Sequence, residues 1–248
     1  MFAGLRTARG VLRSLCIYYG DRHRRAGMDR LYGRFIKAGD LVFDVGAHVG
    51  DRVAAFRRLG ARVVAVEPQR APLAVLRLLH GRDRAVTIEP GALGRAEGVV
   101  ELKINPDNPT VSTASRDFIR AAANAPGWEG QAWTKQRTVA MTTLDALIAR
   151  HGTPAFIKID VEGFEAEVLA GLSRPVGALS FEFTTIQREV AATAIDRAAA
   201  LGYASFNAAL GESQALVHPG WLDAVEMKRW IAELPHTANS GDVYAVLE

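Results

Sequence analysis

From residue 41 onward, short apolar runs alternate with segments whose apolar residues recur every three or four positions. The short runs predict buried β-strands, and the periodic segments predict helices. The predicted strands are 41–45, 62–67, 85–88, 155–160, 178–183 and 242–247, and the helices between them include 52–59, 72–80 and 186–201. This alternation favours an α/β fold whose mostly parallel sheet has helices on both faces and a ligand at the carboxyl ends of its strands.

One region departs from the alternation. Residues 99–104 alternate like an exposed strand, and residues 105–136 are then rich in Pro, Asn, Ser and Ala. A segment this long between regular elements is usually functional or disordered. We interpret 105–136 either as a substrate lid or as a surface insertion that Trp128 and Trp133 anchor.

The first 38 residues precede the sheet and contain eight arginines. Val11, Leu12 and Leu15 are helix-spaced between them, which favours a helical cap, residues 1–38, packed beside a main domain of residues 39–248. The alternative is a basic helix that makes peripheral contact with an anionic membrane. No nucleic-acid-binding motif accompanies the arginines, so nucleic acid is not an expected partner.

The overall composition is that of an ordinary globular protein, with 49% hydrophobic and 23% charged residues and a net charge of +3. Cys16 is the only cysteine, which excludes intramolecular disulfides and thiolate metal clusters. Arginines interrupt every apolar run in the first 20 residues, so the N-terminus lacks the apolar core of a signal peptide. No stretch of about 18 uncharged apolar residues, the length that spans a membrane, is present. We therefore expect a cytoplasmic protein, and a homo-oligomer stays open.

A glycine-containing turn, Asp44-Val45-Gly46-Ala47-His48-Val49-Gly50, follows the first predicted strand and precedes a predicted helix. Glycines there permit a tight turn and close approach of a ligand to the backbone. The helix N-terminus favours an anionic group such as a carboxylate. Glu67, followed by Pro68, ends the next strand, where its carboxylate can accept hydrogen bonds from the two hydroxyls of a ribose.

The glycine spacing separates two cofactors that share this pattern. A dinucleotide fold has Gly-x-Gly-x-x-Gly, whereas only Gly46 and Gly50 are present here. Asp44 would repel a diphosphate but can hold the ammonium group of an amino acid. S-adenosylmethionine (SAM) is therefore favoured, and an NAD-linked oxidoreductase is the rival.

A second motif combines Thr143-Leu144-Asp145-Ala146-Leu147 with a buried run that ends Ile157-Lys158-Ile159-Asp160-Val161-Glu162-Gly163-Phe164-Glu165. It places Asp160 and Glu162 at the carboxyl edge of the sheet, and Gly163 permits a sharp turn into a helix. From about residue 39 to residue 183, this motif and the glycine turn resemble the FkbM family of methyltransferases.

The resemblance implies a Rossmann-like class I methyltransferase fold with a seven-stranded sheet and transfer of methyl from SAM to a hydroxyl of a sugar, glycolipid or other natural product. It places Asp44, Gly46, Ala47, Gly50, Glu67 and Pro68 around SAM, Ala92 and Leu93 at its adenine, and Asp160 near its methionine part. The family commonly has asparagine at position 48. His48 is thus either a general base or a larger spacer.

Methyl transfer to a hydroxyl requires alignment of the acceptor oxygen and removal of its proton. Asp160, Glu162 and Glu182 lie near the carboxyl ends of adjacent predicted strands, and each is a candidate base. Together they are also candidate ligands for Mg²⁺. A non-catalytic SAM-binding module is the remaining alternative, and the intact set of Asp44, Glu67 and Asp160 argues against it.

Overall fold

A computed structural model describes residues 2–247, apart from the side chains of residues 2–5, 8 and 22. Its strands are β1 Leu41–Val45, β2 Arg62–Glu67, β3 Val86–Pro90, β4 Ala92–Leu93, β5 Gly98–Ile104, β6 Lys135–Thr142, β7 Phe156–Ile159, β8 Ala178–Thr184, β9 Ser205–Leu210 and β10 Ser240–Val246. Its α-helices are α1 Phe2–Tyr19, α2 Arg22–Tyr32, α3 Asp51–Arg58, α4 Arg70–His80, α5 Arg116–Ala122, α6 Leu144–His151, α7 Glu165–Ala170, α8 Arg188–Ala200 and α9 Ala224–Glu233.

Seven strands form the main sheet in the order β3-β2-β1-β7-β8-β10-β9. The first five are mutually parallel, whereas β10 runs antiparallel to both of its neighbours. The predicted fold class is confirmed. β1 pairs with β2 on one side and with β7 on the other. The connection after β1 leads to β2 and the connection after β7 leads to β8, so the two connections run toward opposite edges of the sheet. A crevice at the carboxyl ends of these two strands is the usual ligand site of such sheets.

Alternate residues of the buried strands supply two separate cores. Phe43 of β1 packs in a cluster with residues of α6, α7, α8 and α9, including Val168 and Leu169. Val42, on the opposite side of the same strand, packs with Phe56 of α3 and residues of α2 and α4. Helices therefore cover both faces of the sheet, which explains why β1 is buried along its whole length.

The segment 105–136 is largely structured. β5 confirms the strand predicted at 99–104, and it pairs with β6 in a second, three-stranded sheet. Between them lie a short 3-10 helix, Pro109–Val111, and α5. The indole nitrogen of Trp128 donates to the Oδ1 atom of Asn239 at 3.1 Å, and that of Trp133 donates to the Val111 carbonyl at 2.7 Å. Trp128 thus anchors the segment to the main domain, and Trp133 holds two parts of the segment together.

The N-terminal helices are joined to the main domain. Met28, Leu31 and Tyr32 of α2 belong to the core cluster on one face of the sheet, and α1 contacts α4 and the 3-10 helix. Val11 is buried as expected, but Leu12 is 61% exposed, so its predicted burial is wrong. Within residues 2–247, no helix combines the length and the apolar content that crossing a bilayer requires.

Candidate functional site

A cleft opens at the carboxyl ends of β1, β2, β7 and β8. The residues that the sequence singled out and that line the cleft are Asp44, Gly46, Ala47, His48, Glu67, Pro68, Ala92, Leu93, Asp160, Glu162 and Glu182. The topology therefore brings residues from both sequence motifs to one site.

Gly46 and Gly50 are required by the protein's own packing. Gly46 has φ +86°, and a Cβ there would lie 1.8 Å from the backbone oxygen of Asp160. Gly50 has φ +85°, and a Cβ there would lie 2.6 Å from Leu76 Cδ1 and 2.9 Å from two atoms of the His80 ring. Gly50 is not among the residues that line the cleft. The positive φ at both positions agrees with the predicted tight turn. Gly46 also lines the cleft, whereas Gly50 serves the packing against α4 and not a ligand.

Glu67 is buried and held in one orientation by the backbone. Its Oε1 atom accepts a hydrogen bond from the Gln69 N–H at 2.7 Å, and its Oε2 atom accepts one from the His48 N–H at 2.8 Å. Burial raises the pKa of Glu67 to about 7, although these two bonds oppose the rise. Each carboxyl oxygen keeps a lone pair, so the group fits two adjacent hydroxyls of a ribose.

Asp44 is 1% exposed, and its Oδ2 atom is buried without a hydrogen-bond partner in the described part of the chain. Burial, assisted by the negative charge of Asp51, raises the pKa of Asp44 to about 7. A buried carboxyl oxygen without a partner is costly, and a cationic ligand group would remove that cost. The position therefore fits the ammonium group of an amino acid.

Three carboxyl groups meet on the other side of the cleft. Oxygen atoms of Asp160, Glu162 and Glu182 all lie within 4.8 Å of one another. Lys158, which is fully buried, lies beside them with its Nζ atom 3.3 Å from Asp160 Oδ2 and 2.7 Å from Asp242 Oδ1. Lys158 is thus paired with two carboxylates.

The three carboxyl groups differ in their preferred protonation. Burial by itself would raise the pKa of Asp160, but Lys158, Arg52 and a hydrogen bond with Glu182 outweigh it and hold the pKa below its usual value. Burial, followed by repulsion from Asp160, raises the pKa of Glu162 and Glu182 well above the usual value. The cluster thus combines one carboxylate of low proton affinity, Asp160, with two carboxyl groups whose proton affinity is raised.

Comparison with known proteins decides the family. Residues 44–211 match the family described as "Methyltransferase FkbM domain". The chain belongs to the FkbM methyltransferase family. It is 29% identical over 174 residues to the 31-O-demethyl-FK506 methyltransferase FkbM of Streptomyces tacrolimicus, and the match covers 60% of this chain and 67% of that protein. The protein is accordingly a SAM-dependent methyltransferase.

Two solved structures resemble the FkbM-family chain along most of its length. The TehB-like SAM-dependent methyltransferase from Corynebacterium glutamicum has a TM-score of 0.48 and 10% identity, with 96% of this chain and 94% of that chain covered. The O-methyltransferase from Bacillus cereus also has a TM-score of 0.48 and 10% identity, with coverage of 96% and 90%. Resemblance at this level carries no weight about function.

His48, where the FkbM family commonly has asparagine, acts mainly through its backbone. Its N–H supports Glu67, and it has φ +47°, a left-handed conformation that asparagine adopts more readily than most residues. Burial lowers the pKa of the imidazole to about 4, and its two ring nitrogens have no hydrogen-bond partner among residues 2–247. An imidazole that is so weak a base favours the spacer role, in contact with the edge of Tyr18.

Residues that the sequence did not single out also line this FkbM-family cleft, among them Tyr18, Asp51, Arg52 and Glu212. Arg24 pairs with Asp51 at 2.7 Å, and Arg52 pairs with Glu212 at 3.1 Å. Asp51 and Arg52 directly follow Gly50, so the start of α3 was a signal that could have indicated them. Tyr18 and Glu212 are far from both motifs in sequence, and no local pattern marks them.

Proposed function

We propose that this enzyme transfers the methyl group of SAM to a hydroxyl of a sugar, glycolipid or other natural product. The observation that carries the proposal is the carboxyl cluster of Asp160, Glu162 and Glu182 on the wall of the cofactor cleft. A hydroxyl must lose a proton when its oxygen is methylated, and carboxylates are suitable proton acceptors. The printed name of the Streptomyces relative, which refers to an O-demethylated substrate, agrees with oxygen as the acceptor atom.

The cofactor lies between two buried carboxylates in this proposal. Glu67 accepts hydrogen bonds from the ribose hydroxyls, and Asp44 holds the ammonium group. Ala92 and Leu93, which form β4 at the edge of the cleft, contact the adenine, and Pro68 lies beside it. SAM supplies a methyl group on a positively charged sulfur, which makes that methyl electrophilic. Asp160, next to the closely packed Gly46, lies near the methionine part.

Glu182 is the base that we favour. Its Oε2 atom is buried and has no hydrogen-bond partner in the described residues, so it is available to the acceptor hydroxyl. The hydroxyl proton passes to this carboxylate while the oxygen–methyl bond forms and the sulfur–methyl bond breaks. A raised pKa makes Glu182 a stronger base than an ordinary carboxylate. The charge of Asp160 adds to the proton affinity of Glu182, after the larger effect of burial.

The same three oxygen atoms are also close enough together to ligate one divalent cation. Lys158 already supplies a positive charge to Asp160 at 3.3 Å, which lessens the need for a metal. We therefore place the metal role second.

The segment 105–136 contributes Thr110 and Ser112 to the cleft, and we assign it to the acceptor side as a lid over a small molecule or a saccharide. Cytoplasmic location and a homo-oligomer stay predictions.

The decisive experiment is an acceptor screen with SAM that carries a deuterated methyl group, read by mass spectrometry with and without a chelator. We expect methyl on an acceptor oxygen in both arms. Glu182→Gln should lower kcat by about 100-fold or more, because it removes the base that acts on the acceptor. Its affinity for S-adenosylhomocysteine (SAH), the demethylated cofactor, should change little. The exposed Glu97→Gln is the matched control.

Three results would contradict these assignments. If a chelator abolishes activity and Mg²⁺ restores it, the three carboxyl groups serve as metal ligands, and Glu182 is not the base. Unchanged kcat in Glu182→Gln would remove Glu182 as the base. Methyl found on nitrogen or carbon of the acceptor, or on no acceptor of the screen, would contradict methyl transfer to a hydroxyl.

A further inference from the structure

Helix α1 has one side on the protein and one side open to solvent. Val11 and Ser14 are 4% exposed and face the protein. Leu12 and Ile17 are 61% and 52% exposed. The solvent-facing positions Arg9, Leu12, Arg13, Cys16 and Ile17 recur at intervals of three and four residues, so they form one continuous helical face. We name these five residues the α1 outer face.

The body of the protein holds this helix firmly. Gly10 packs so closely that a Cβ there would lie 2.7 Å from Pro109 Cδ. The Arg6 guanidinium donates to Asp107 Oδ1 at 2.7 Å, and the Tyr19 hydroxyl donates to the Val49 carbonyl at 3.1 Å. The α1 outer face is therefore a fixed surface of the folded domain.

Cations predominate on the α1 outer face. The sequence of α1 contains no acidic residue, and nothing described between residues 2 and 247 forms an ion pair with Arg9 or Arg13. One carboxylate lies near this side, since Arg6, with a smaller contribution from Arg9, lowers the pKa of Asp107. The neighbouring α4 also lacks acidic residues and exposes Arg77 and Leu78, the latter to 81%. Apolar side chains between unpaired cations are complementary to a surface that is both anionic and apolar.

An anionic bilayer has both properties. Leu12 and Ile17 can enter the boundary between headgroups and acyl chains, while the long side chains of Arg9 and Arg13 reach the phosphates. A second copy of this chain would bring arginines against arginines across a two-fold axis, and like charges there repel. We propose that the α1 outer face docks the enzyme on membranes that contain anionic lipids.

Docking would also fix where the cleft lies. Tyr18, on another side of α1, lines the cofactor cleft. The cleft would then be separated from the lipid surface by about one helix diameter, ~10 Å. An acceptor carried by the membrane would be within reach, a consequence that rests on the proposed function, whereas docking itself does not.

The test is co-sedimentation of the full chain with vesicles of phosphatidylcholine alone or mixed with phosphatidylglycerol, at low and high salt. The variant Leu12→Gln with Arg13→Gln removes one apolar and one cationic side chain from the α1 outer face. Its matched control is Val225→Gln with Arg229→Gln on α9, where Val225 is 60% exposed and Arg229 is also exposed. SAH binding of each variant shows that the fold and cofactor site are intact, independently of any acceptor.

We expect wild-type protein to bind the mixed vesicles, to release from them at high salt and to ignore pure phosphatidylcholine. The α1 variant should bind at least about tenfold more weakly, since it loses one cation that faces the lipid phosphates and one apolar side chain that enters the boundary with the acyl chains. The α9 control should bind like wild type. Equal binding by both variants, or no binding of wild type to mixed vesicles, would overturn the proposal. A concentration-dependent dimer abolished in the α1 variant alone would assign the face to self-association instead.

Discussion

At the scale of single residues, the cleft is defined by carboxyl groups that the fold buries without direct cationic partners. Asp44 and Glu67 are 1% and 2% exposed, and burial raises the pKa of each to about 7. The nearby Lys158 makes its ion pairs with Asp160 and Asp242 instead. An empty cleft is therefore electrostatically costly at Asp44 and Glu67, and a ligand with an ammonium and two hydroxyls relieves that cost.

These raised pKa values predict how cofactor binding depends on pH. For Asp44 and Glu67, the folded pKa lies above the unfolded one, so their contribution to the stability of the free protein falls as pH rises through about 7. Ligand binding has the opposite sign, because the ammonium and the ribose hydroxyls interact with the charged carboxylates. SAH affinity should increase about tenfold per group from about pH 6 to about pH 8.

Calorimetric titration of SAH at several pH values measures this dependence. Glu67→Gln should flatten part of the slope because it removes one titrating group. An affinity that is constant over this range would show that both carboxyl groups ionise at ordinary, lower pH.

The predictable site residues are those at the ends of strands. Asp44, Glu67 and Asp160 follow recognisable buried runs, and parallel strands bring their carboxyl ends together, so local pattern and fold class suffice to place them. Glu212 reaches the cleft through Arg52, which is 160 residues away in sequence. Such a contact depends on the tertiary structure, and no local pattern encodes it.

At the scale of elements, the site depends on close packing between the turn after β1 and the end of β7. Gly46→Ala would put a Cβ at 1.8 Å from the Asp160 backbone oxygen, so the two elements must separate. We expect loss of at least about 2 kcal/mol in the free energy of unfolding, from the clash together with the positive φ. Chemical denaturation measures the loss.

Gly127→Ala is the matched control for that substitution. Gly127 has φ +84°, close to that of Gly46, but nothing lies within 4 Å of the added Cβ. It therefore carries the cost of the backbone conformation alone. Equal losses in the two variants would show that the contact between the turn and β7 is not tight.

Two of the strands that the sequence did not predict, β6 and β9, lack a continuous apolar run. β9 contains Asn207, which is 1% exposed and donates from its side chain to the carbonyls of His218 and Gly220. A buried asparagine argues against a strand until those partners are known. β6 was likewise hidden, because its residues alternate in exposure and its pairing with β5 spans a long insertion. Strands with continuous apolar runs were found.

At the scale of the whole molecule, α1 joins two surfaces. One side of it contributes Tyr18 to the cleft, and the α1 outer face points to solvent. The sequence suggested two alternatives for α1, packing beside the core or contact with an anionic membrane. Burial of Val11 shows the packing, and exposure of Leu12, the next residue, leaves the other side of the helix open for the membrane contact that we propose.

Calorimetric titration with SAH and with NAD, on wild-type protein and on Glu67→Ala, tests the central claim most directly. We predict that the wild-type protein binds SAH at one site and does not bind NAD. Glu67→Ala should bind SAH at least about tenfold more weakly, because two hydrogen bonds to a buried carboxylate are lost. Glu97→Ala, on an exposed glutamate, should bind like wild type. Binding of NAD without SAH, or an unchanged SAH affinity in Glu67→Ala, would contradict the assignment of this cleft.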